Sequence, residues 1–451
     1  MIHQIQNRHA PHGLQNTESR VDMPRVYMVL AVALLFVVES TGCAEQQSGT
    51  AIATPAKISV SEADWPWWRG FQRNGIAPDG QTPPTTWSKD ENVIWKAPIP
   101  GRGHSSPTVV GDRVFITTAE EEQQTQSVIC FDRETGNQLW KTDVHTGGLT
   151  DKGNKKSTQA SSTVACDGER LFINFLNNDA VYTTALTIDG KKLWQKKVTD
   201  YVVHQGYGSS PAIYGSVVIV SADNKGGGAI AAFDRESGEL VWKHKRPSEP
   251  NYASPIILNV AGKDQVIFTG CDLVSSYDPL TGKQNWEVEG ATTECVTSTP
   301  TDGNLVFSSG GYPKNHVSAI RGDGSGEIAW ENKTRVYVPS MLVIDGHLYA
   351  VSDKGIVYCW KSDSGEELWK KRIGGPFTST PVLAGGRLYA TTEDATTYVM
   401  TVSPEGLENV TKNQLGDETY ATPAICGNRI YMRVVETVDG ERQEMLYCLG
   451  E

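Results

Sequence analysis

The 451-residue sequence predicts an all-β protein, an eight-bladed β-propeller with four-stranded antiparallel blades. Three observations support this prediction. A turn motif followed by tryptophan recurs along the chain, Ser/Thr-Pro pairs open strand-like segments at regular spacing, and the first strand matches a gap left at the far end of the chain. Because one such unit cannot bury both of its faces alone, the units must stack around an axis.

The turn motif places an Asp four residues before a Gly and a Trp four residues after it, as in Asp132, Gly136 and Trp140. The Asp carboxylate can accept hydrogen bonds from N–H groups of a tight turn, and the Gly supplies a positive φ. The Trp offers a large apolar face to the neighbouring unit. We therefore interpret these tryptophans as structural contacts between blades; they are Trp95, Trp140, Trp194, Trp242, Trp286, Trp330 and Trp369.

The unit openings give the number of blades. They are Ser106-Pro107, Ser210-Pro211, Ser254-Pro255, Thr299-Pro300, Thr380-Pro381 and Thr422-Pro423, with degenerate copies at Ser162-Thr163 and Ser340-Met341. This makes eight units, spaced roughly 40 to 56 residues apart. The seventh unit has Val410 where the tryptophan is expected, and the eighth ends before a fourth strand. Because Asn92–Lys96 matches a fourth strand without its first three, we expect it to complete the last blade and remove that open edge.

The first 43 residues predict an export signal. Arg20 and Arg25 precede an apolar run of 13 residues, Val26 to Val38, which suits a signal peptide better than a membrane span. Translation could start at Met1 or at Met23. Cys43 ends a segment similar to a lipoprotein box, so both lipidation of Cys43 and ordinary cleavage stay open. Residues 44–64 predict a flexible linker, and the propeller is expected over 65–451.

The composition narrows the function classes. A net charge of −12 argues against a nucleic-acid partner, which requires a basic surface. Eight cysteines include no adjacent pair and no C-x-x-C, and no metal site is expected. Cys130, Cys359 and Cys448 take a repeat position that other units fill with Ala or Ser, so we expect packed thiols, although the sequence does not determine any disulfide pairing. The Trp-rich segment 65–75 predicts a cap on the ring; an exposed aromatic patch for glycan is the alternative.

The copies of Ala/Cys-x-Asp-x-x-Thr/Ser-Gly-x-x-x-Trp resemble the PQQ-like (quinoprotein-like) β-propeller repeat. That family contains quinoprotein alcohol dehydrogenases and non-catalytic propellers similar to BamB, the outer-membrane assembly lipoprotein. The resemblance implies a bacterial envelope protein in the periplasm, with membrane contact only through an N-terminal lipid anchor. We expect a monomer. The repeat specifies a fold without specifying an activity.

A set of aromatic and charged residues just before the unit openings is the candidate binding rim. Its members are Arg102, His104, His204, Tyr207, Tyr252, Glu294, Arg335, Tyr337, Phe377, Glu418 and Tyr420. They suit a pocket for a small polar molecule or a protruding peptide. Alternatively, the aromatic side chains fill the wide axial channel of an eight-bladed ring.

Two functions of different classes follow. The first is a non-catalytic scaffold that contacts an envelope protein or an exposed polymer through its rim loops, without a cofactor. The second is a PQQ-dependent oxidoreductase acting on alcohols or sugars. For this function the resemblance implies PQQ and Ca²⁺ as cofactors. Quinoprotein dehydrogenases hold PQQ against a disulfide of adjacent cysteines, which this sequence lacks. The first function is therefore preferred, and no catalytic residue is assigned.

Overall fold

Eight antiparallel sheets make up the part of the chain that the computed structural model describes, residues 58–451. In each sheet the strands follow one another in chain order, except that the last sheet also contains the first strand. The predicted eight-bladed propeller is confirmed. Residues 58–451 contain no helix, and hence none long and apolar enough to cross a membrane.

The first half of the ring comprises the first strand and four blades. Their bounds are β1 (Val93–Ile99); β2 (Thr108–Val110), β3 (Arg113–Glu120), β4 (Thr125–Asp132) and β5 (Gln138–Thr146) in blade 1; β6 (Ala165–Cys166), β7 (Arg170–Asn177), β8 (Ala180–Thr187) and β9 (Lys192–Asp200) in blade 2; β10 (Ala212–Tyr214), β11 (Val217–Ser221), β12 (Ala229–Asp234) and β13 (Leu240–Lys245) in blade 3; β14 (Ile256–Val260), β15 (Lys263–Gly270), β16 (Leu273–Tyr277) and β17 (Gln284–Glu289) in blade 4.

The second half completes the ring. Its strands are β18 (Leu305–Gly310), β19 (His316–Arg321) and β20 (Ile328–Asn332) in blade 5; β21 (Leu342–Ile344), β22 (His347–Val351), β23 (Ile356–Lys361) and β24 (Glu367–Arg372) in blade 6; β25 (Val382–Ala384), β26 (Arg387–Thr391), β27 (Thr396–Ser403) and β28 (Gly406–Gln414) in blade 7; β29 (Ala424–Cys426), β30 (Arg429–Val438) and β31 (Glu441–Leu449) in blade 8.

The two ends of the propeller chain join in blade 8. β1 pairs antiparallel with β31, with Trp95 opposite Cys448 and Lys96 opposite Tyr447. The N–H of Gly450 donates to the carbonyl of Asn92 over 3.0 Å at the end of this ladder. The N-terminal strand therefore covers an edge that β31 would otherwise leave unpaired, as the repeat pattern predicted.

Blade 5 has three assigned strands because a proline occupies the start of its first strand. In the other blades that position holds a residue with an N–H, such as Thr108 in blade 1, which pairs with Phe115. Blade 5 has Pro300 there, and only its carbonyl is used, by the N–H of Phe307 over 3.0 Å. A proline cannot donate to the ladder, so only the bridge between Thr301 and Val306 remains.

The motif tryptophans contact the turn of the following blade. A Cβ added to Gly136 would lie 2.5 Å from the Trp95 ring, and one added to Gly238 would lie 2.6 Å from Trp194. The glycines therefore provide both the positive φ and the close approach that the indole needs. Five indole N–H groups donate to carbonyls of these turns: Trp95 to Arg133, Trp194 to Arg235, Trp242 to Pro279, Trp330 to Ser362 and Trp369 to Ser403.

Trp286 departs from this pattern. Its indole N–H donates to Gln265 of its own blade over 2.9 Å, and a Cβ on Gly326 in the next blade would meet no atom within 4 Å. It is still buried between blades, in a cluster with Val306 and Ile320 of blade 5. The contact between blades 4 and 5 is thus made by packing, without the indole-on-glycine arrangement.

The junction between blades 7 and 8 explains Val410. A tryptophan there would face the turn between the third and fourth strands of blade 8, but those strands, β31 and β1, are not consecutive in the chain and no turn joins them. Val410 is 43% exposed. Trp87, from the segment before β1, instead stacks on Tyr389 of blade 7 with ring centroids 6.3 Å apart. The missing motif residue thus coincides with the missing turn.

The Trp-rich segment predicted as a cap packs across one face of the ring. Trp65 exchanges two backbone hydrogen bonds with Val109 of blade 1, and Gly75 and Ala77 bond to Leu383 of blade 7. Trp65 and Trp67 are 2% and 5% exposed. The cap prediction is therefore confirmed.

The predicted signal peptide, with Cys43, lies outside the described residues, as does most of the predicted linker 44–64. The last part of that linker, from residue 58, contacts the ring: Ser59 donates to the carbonyl of Asp167 over 2.8 Å, and Asp64 is buried.

Each blade contributes one face to an apolar layer shared with its neighbour, and the cysteines belong to these layers. Cys130, Cys359 and Cys448 are fully buried free thiols, as expected from their position in the repeat. Burial raises the pKa of Cys130 to about 12, because a thiolate is poorly solvated there. These thiols act as small apolar side chains.

Candidate functional site

A ring of hydroxyl side chains surrounds the propeller axis. One residue per blade contributes, two positions before the start of the first strand; the members are Ser106, Thr163, Ser210, Ser254, Ser298, Ser340, Thr380 and Thr422. The N–H of each bonds to the hydroxyl of the next at seven of the eight junctions, over 2.9 to 3.2 Å. The Ser/Thr of the opening motif therefore joins the blades around the axis.

At the eighth junction of this hydroxyl ring, between Ser254 and Ser298, a residue of the cap donates to the ring hydroxyl instead. The Trp68 indole N–H donates to the Ser298 hydroxyl over 2.8 Å. In blade 1 the ring residue Ser106 stands two positions before Thr108, the first residue of the first strand. In blade 5 the ring residue Ser298 stands two positions before Pro300. The opening predicted at Thr299-Pro300 therefore starts one residue after the ring position, and the one predicted at Ser162-Thr163 starts one residue before it.

A central cavity of about 190 Å³ lies between the hydroxyl ring and the residues two positions before it. Trp68 of the cap borders it, so one end of the axial channel is closed. The other lining residues are His104, Ser106, Ser161, Thr163, Gly208, Ser210, Tyr252, Ser254, Val296, Val338, Thr378, Thr380, Tyr420 and Thr422. Among them are hydroxyls and aromatic rings but no Arg, Lys, Asp or Glu.

The antiparallel strands separate two faces of the ring. The turn face contains the tight turns between first and second and between third and fourth strands, together with the cap. The mouth face contains the connections between second and third strands and between blades, including residues 147–160, 201–208, 224–228 and 310–315. On the mouth face Lys156, from the connection between blades 1 and 2, bonds Glu393 of blade 7 over 2.6 Å.

One cluster of predicted rim residues comes from the connections that lead into blades 3, 5 and 6. Glu294 is buried, and its carboxylate lies 3.2 Å from His204 Nε2 and accepts from the Tyr337 hydroxyl over 3.0 Å. The Arg335 guanidinium lies 4.9 Å from the centre of the Tyr337 ring and donates to the Gly311 carbonyl. Burial raises the pKa of Tyr337, with Glu294 adding to the shift, so this phenol stays protonated and remains a donor.

A second cluster lies where blades 7, 8 and 1 meet. His104 and Tyr420 have ring centroids 4.5 Å apart, and Lys156 lies 5.7 Å from the centre of the Tyr420 ring. Burial, with the nearby Arg433 and Arg102, lowers the pKa of His104 well below its ordinary value, so the imidazole is neutral near pH 7. Glu418 pairs with Arg442 over 2.6 Å. His104 and His204 belong to different clusters.

Three predicted rim residues point elsewhere. Tyr207 is 9% exposed and its hydroxyl donates to the Ser221 carbonyl, while Phe377 is 2% exposed and packs on Tyr398. Neither borders the cavity; their neighbours Gly208 and Thr378 do. Tyr337 likewise contacts Glu294 while Val338 borders the cavity. Adjacent side chains of an extended segment face opposite ways, and the aromatic residues in these three blades lie one position out of register with His104, Tyr252 and Tyr420.

Several residues of the site were not anticipated from the sequence. Trp68 borders the cavity although it is remote in the chain, and Arg433 with Glu444 forms a buried ion pair behind His104. The hydroxyl ring itself was visible as a Ser or Thr in or directly before every predicted opening, a pattern interpreted only as a strand signal. Its equal position in all eight units was the available clue.

The family model described as "Outer membrane protein assembly factor BamB" matches this chain over residues 124–360 and 313–404. These matches extend over more than half of the sequence. The chain belongs to this family.

Curated relatives agree with the family match. BamB of Burkholderia pseudomallei is 27% identical over 367 residues, which cover 68% of this chain and 87% of that protein. BamB of Bordetella pertussis is 24% identical, covering 65% of this chain and 72% of that protein. The quinoprotein alcohol dehydrogenase PedH of Pseudomonas putida is 29% identical over 163 residues, which cover 34% of this chain and 25% of PedH.

Solved structures share the fold. BamB from Moraxella catarrhalis has a TM-score of 0.55 at 14% identity, covering 79% of this chain and 96% of that structure. A europium-containing methanol dehydrogenase has a TM-score of 0.61 at 11% identity, covering 87% and 98%. The fold is therefore common to assembly factors and to dehydrogenases, and it does not choose between them.

The central cavity does not fit PQQ, the cofactor that the dehydrogenase branch implies. PQQ carries several carboxylates, whereas the lining offers no Arg or Lys and its one histidine, His104, is neutral. Burying an anion without a countercharge is unfavourable. Within residues 58–451, no group of three or more His, Cys, Asp or Glu side chains is placed to hold a metal ion.

Proposed function

We propose that this chain is a non-catalytic scaffold propeller of the bacterial cell envelope that takes part in outer-membrane protein assembly by binding a protein partner. The observation that carries the proposal is the extent of similarity. The chain aligns with 87% of the Burkholderia BamB but with 25% of the dehydrogenase PedH. The poor fit of the cavity to PQQ supports the same choice.

The mouth face is the surface proposed to bind the partner. Its loops vary in length and sequence from blade to blade, as expected where a rigid scaffold presents a binding surface. Two large apolar side chains are exposed there, Tyr312 at 56% and Val202 at 52%. Arg335 donates to the carbonyl of Gly311, next to Tyr312. Exposed aromatic side chains with a charged neighbour of this kind are typical anchors of a protein interface.

Site-specific crosslinking tests this proposal. A photoreactive phenylalanine analogue replaces Tyr312 on the mouth face or Leu280, 39% exposed on the turn face, in full-length protein produced in its native host. We expect a defined crosslink to an envelope protein from position 312, with little from position 280. Crosslinks from position 280 alone would contradict the choice of face, and crosslinks from neither would contradict a protein partner.

Location is part of the proposal. Export through residues 1–43 would place the propeller in the periplasm, and lipidation of Cys43 would tether it to a membrane through residues 44–64. Mass spectrometry of the mature N-terminus distinguishes a lipidated Cys43 from ordinary cleavage. A Cys43→Ser variant should move from the membrane fraction to the soluble periplasm if the anchor exists.

The oxidoreductase alternative has a direct test. Purified protein is incubated with PQQ and Ca²⁺, and reduction of an electron-accepting dye is followed with alcohols or sugars as substrates. We expect no turnover above that of protein-free PQQ. Robust turnover would replace the scaffold proposal by a quinoprotein dehydrogenase.

A further inference from the structure

We propose that the central cavity binds one uncharged sugar ring, such as the terminal residue of a neutral glycan. This site is separate from the loops proposed to contact a protein, and the two can be tested independently. Four properties of the cavity support the inference: unused hydrogen-bond donors, absence of charge among its lining residues, aromatic walls and one closed end.

The unused donors come from the hydroxyl ring. Six ring hydroxyls border the cavity, and each accepts an N–H from a neighbouring blade: Ser106, Thr163, Ser210, Ser254, Thr380 and Thr422. A hydroxyl can donate as well as accept. None of the six protons has an acceptor within residues 58–451. The ring therefore presents a circle of O–H donors that a ligand rich in oxygen can use.

Two further polar groups border the cavity without a complete set of partners. His104 Nε2 is buried and bonded to no atom of the described chain, and the Tyr252 hydroxyl is buried with no acceptor for its proton in residues 58–451. Buried polar groups are normally hydrogen-bonded, so each is a candidate contact for a ligand or for water. With the hydroxyl ring, they surround the cavity on several sides.

The charge of the lining selects the ligand class. No Arg, Lys, Asp or Glu side chain borders the cavity, and the neighbouring Arg433 and Lys156 are paired with Glu444 and Glu393. A carboxylate, phosphate or ammonium group would be desolvated there without a countercharge, which is unfavourable. A neutral ligand with many hydroxyl groups meets no such penalty.

The shape distinguishes a sugar from a peptide. Trp68, Tyr252 and Tyr420 give the cavity aromatic walls, and aromatic side chains combine apolar area with defined geometry. Because Trp68 closes one end, a polymer must enter end-first from the mouth face. A peptide terminus carries a charge, whereas the end of a neutral glycan does not. The volume, about 190 Å³, is below the roughly 300 Å³ of ordinary ligand pockets and suits a single ring.

The experiment measures binding of glucose, galactose and N-acetylglucosamine to the full-length protein by saturation-transfer NMR and calorimetry. Gly208→Leu places a side chain in the cavity; an added Cβ would lie 3.5 Å from Ser161, an ordinary contact, so the backbone should tolerate it. Tyr252→Phe removes one hydroxyl whose proton has no acceptor within residues 58–451. Tyr207→Phe is the matched control, since its hydroxyl is bonded to Ser221 outside the cavity.

We expect at least one of the three sugars to bind saturably. Gly208→Leu should weaken that binding more than tenfold and Tyr252→Phe about fivefold, while Tyr207→Phe lowers the melting temperature and leaves the sugar affinity unchanged. The inference is overturned if none of the three neutral sugars binds at millimolar concentration. It is also overturned if both cavity variants bind like the wild type. A protein crosslink from Tyr312 would be unaffected by any of these results.

Discussion

The two faces of the propeller are built on different principles. On the turn face one contact recurs: an indole packs on the glycine of the next turn, as Trp194 does on Gly238, and this arrangement is found at five junctions. On the mouth face the contacts differ from blade to blade; the pair Lys156–Glu393 and the cluster around Glu294 have no equivalents elsewhere in the described ring. The repeat therefore encodes stability on one face and leaves the other free to acquire specific contacts.

The largest effect is expected from removing one turn-face tryptophan. Trp242 is 7% exposed, contacts Gly282 and donates to the Pro279 carbonyl, so Trp242→Ala should lower the free energy of unfolding by about 3 to 5 kcal/mol. Urea denaturation measures the change. Val410→Ala is the control at the position where the motif residue is absent, and a loss of about 0.5 kcal/mol or less is expected. Similar losses for both variants would refute the special role of the indole contact.

A smaller effect is expected from the glycine side of the same contact. Gly238 has φ of 71° and its added Cβ would lie 2.6 Å from Trp194, so Gly238→Ala should cost about 2 to 4 kcal/mol from backbone strain and overpacking together. Gly326 has φ of 69° with no atom within 4 Å of its added Cβ. Gly326→Ala should therefore show only the backbone cost, about 1 kcal/mol. Equal losses of stability for Gly238→Ala and Gly326→Ala would mean that the Trp194 indole moves aside for the added methyl group at no cost.

The smallest effect is expected for the loss of stability at acid pH, to which a partly buried histidine near the mouth face contributes. Burial lowers the pKa of His316, at the start of β19, to about 4. Between pH 6.5 and 4 the unfolded chain binds a proton at this residue more readily than the folded chain, so stability is lost as the pH falls through this range. His316→Gln should reduce the drop in unfolding free energy between pH 7 and pH 5 by about 2 kcal/mol. An unchanged drop in urea denaturation would show that His316 is readily protonated in the fold.

The features that the sequence predicted well are those set by local chemistry. The turn around Asp132 is one: its carboxylate accepts from the N–H groups of Glu134 and Thr135 and from the Thr135 hydroxyl, which lowers the pKa of Asp132. The closure of blade 8 by β1 was also predictable, because a strand without neighbours and a blade without a fourth strand complement each other.

The features that the sequence did not predict depend on register or on distant contacts. Tyr207 and Phe377 were assigned to the rim because they are aromatic and stand just before a unit opening, but a shift of one residue in an extended segment turns a side chain to the opposite side. The opening of blade 5 was likewise placed one residue too late, because Pro300 stands one position further from the ring residue than the proline does in blade 1. The contact of Trp68 with Ser298 joins residues 230 positions apart, and no local pattern signals it.

Hydrogen exchange of the full-length protein, with and without the envelope protein captured through Tyr312, tests the division between the two faces most directly. The account predicts that binding slows exchange in the mouth-face segments 147–160, 201–208 and 310–315. The turns at 133–137 and 235–239 should exchange at the same rate in both samples. Protection of those turns, with the mouth-face segments unchanged, would contradict the assignment of function to the mouth face.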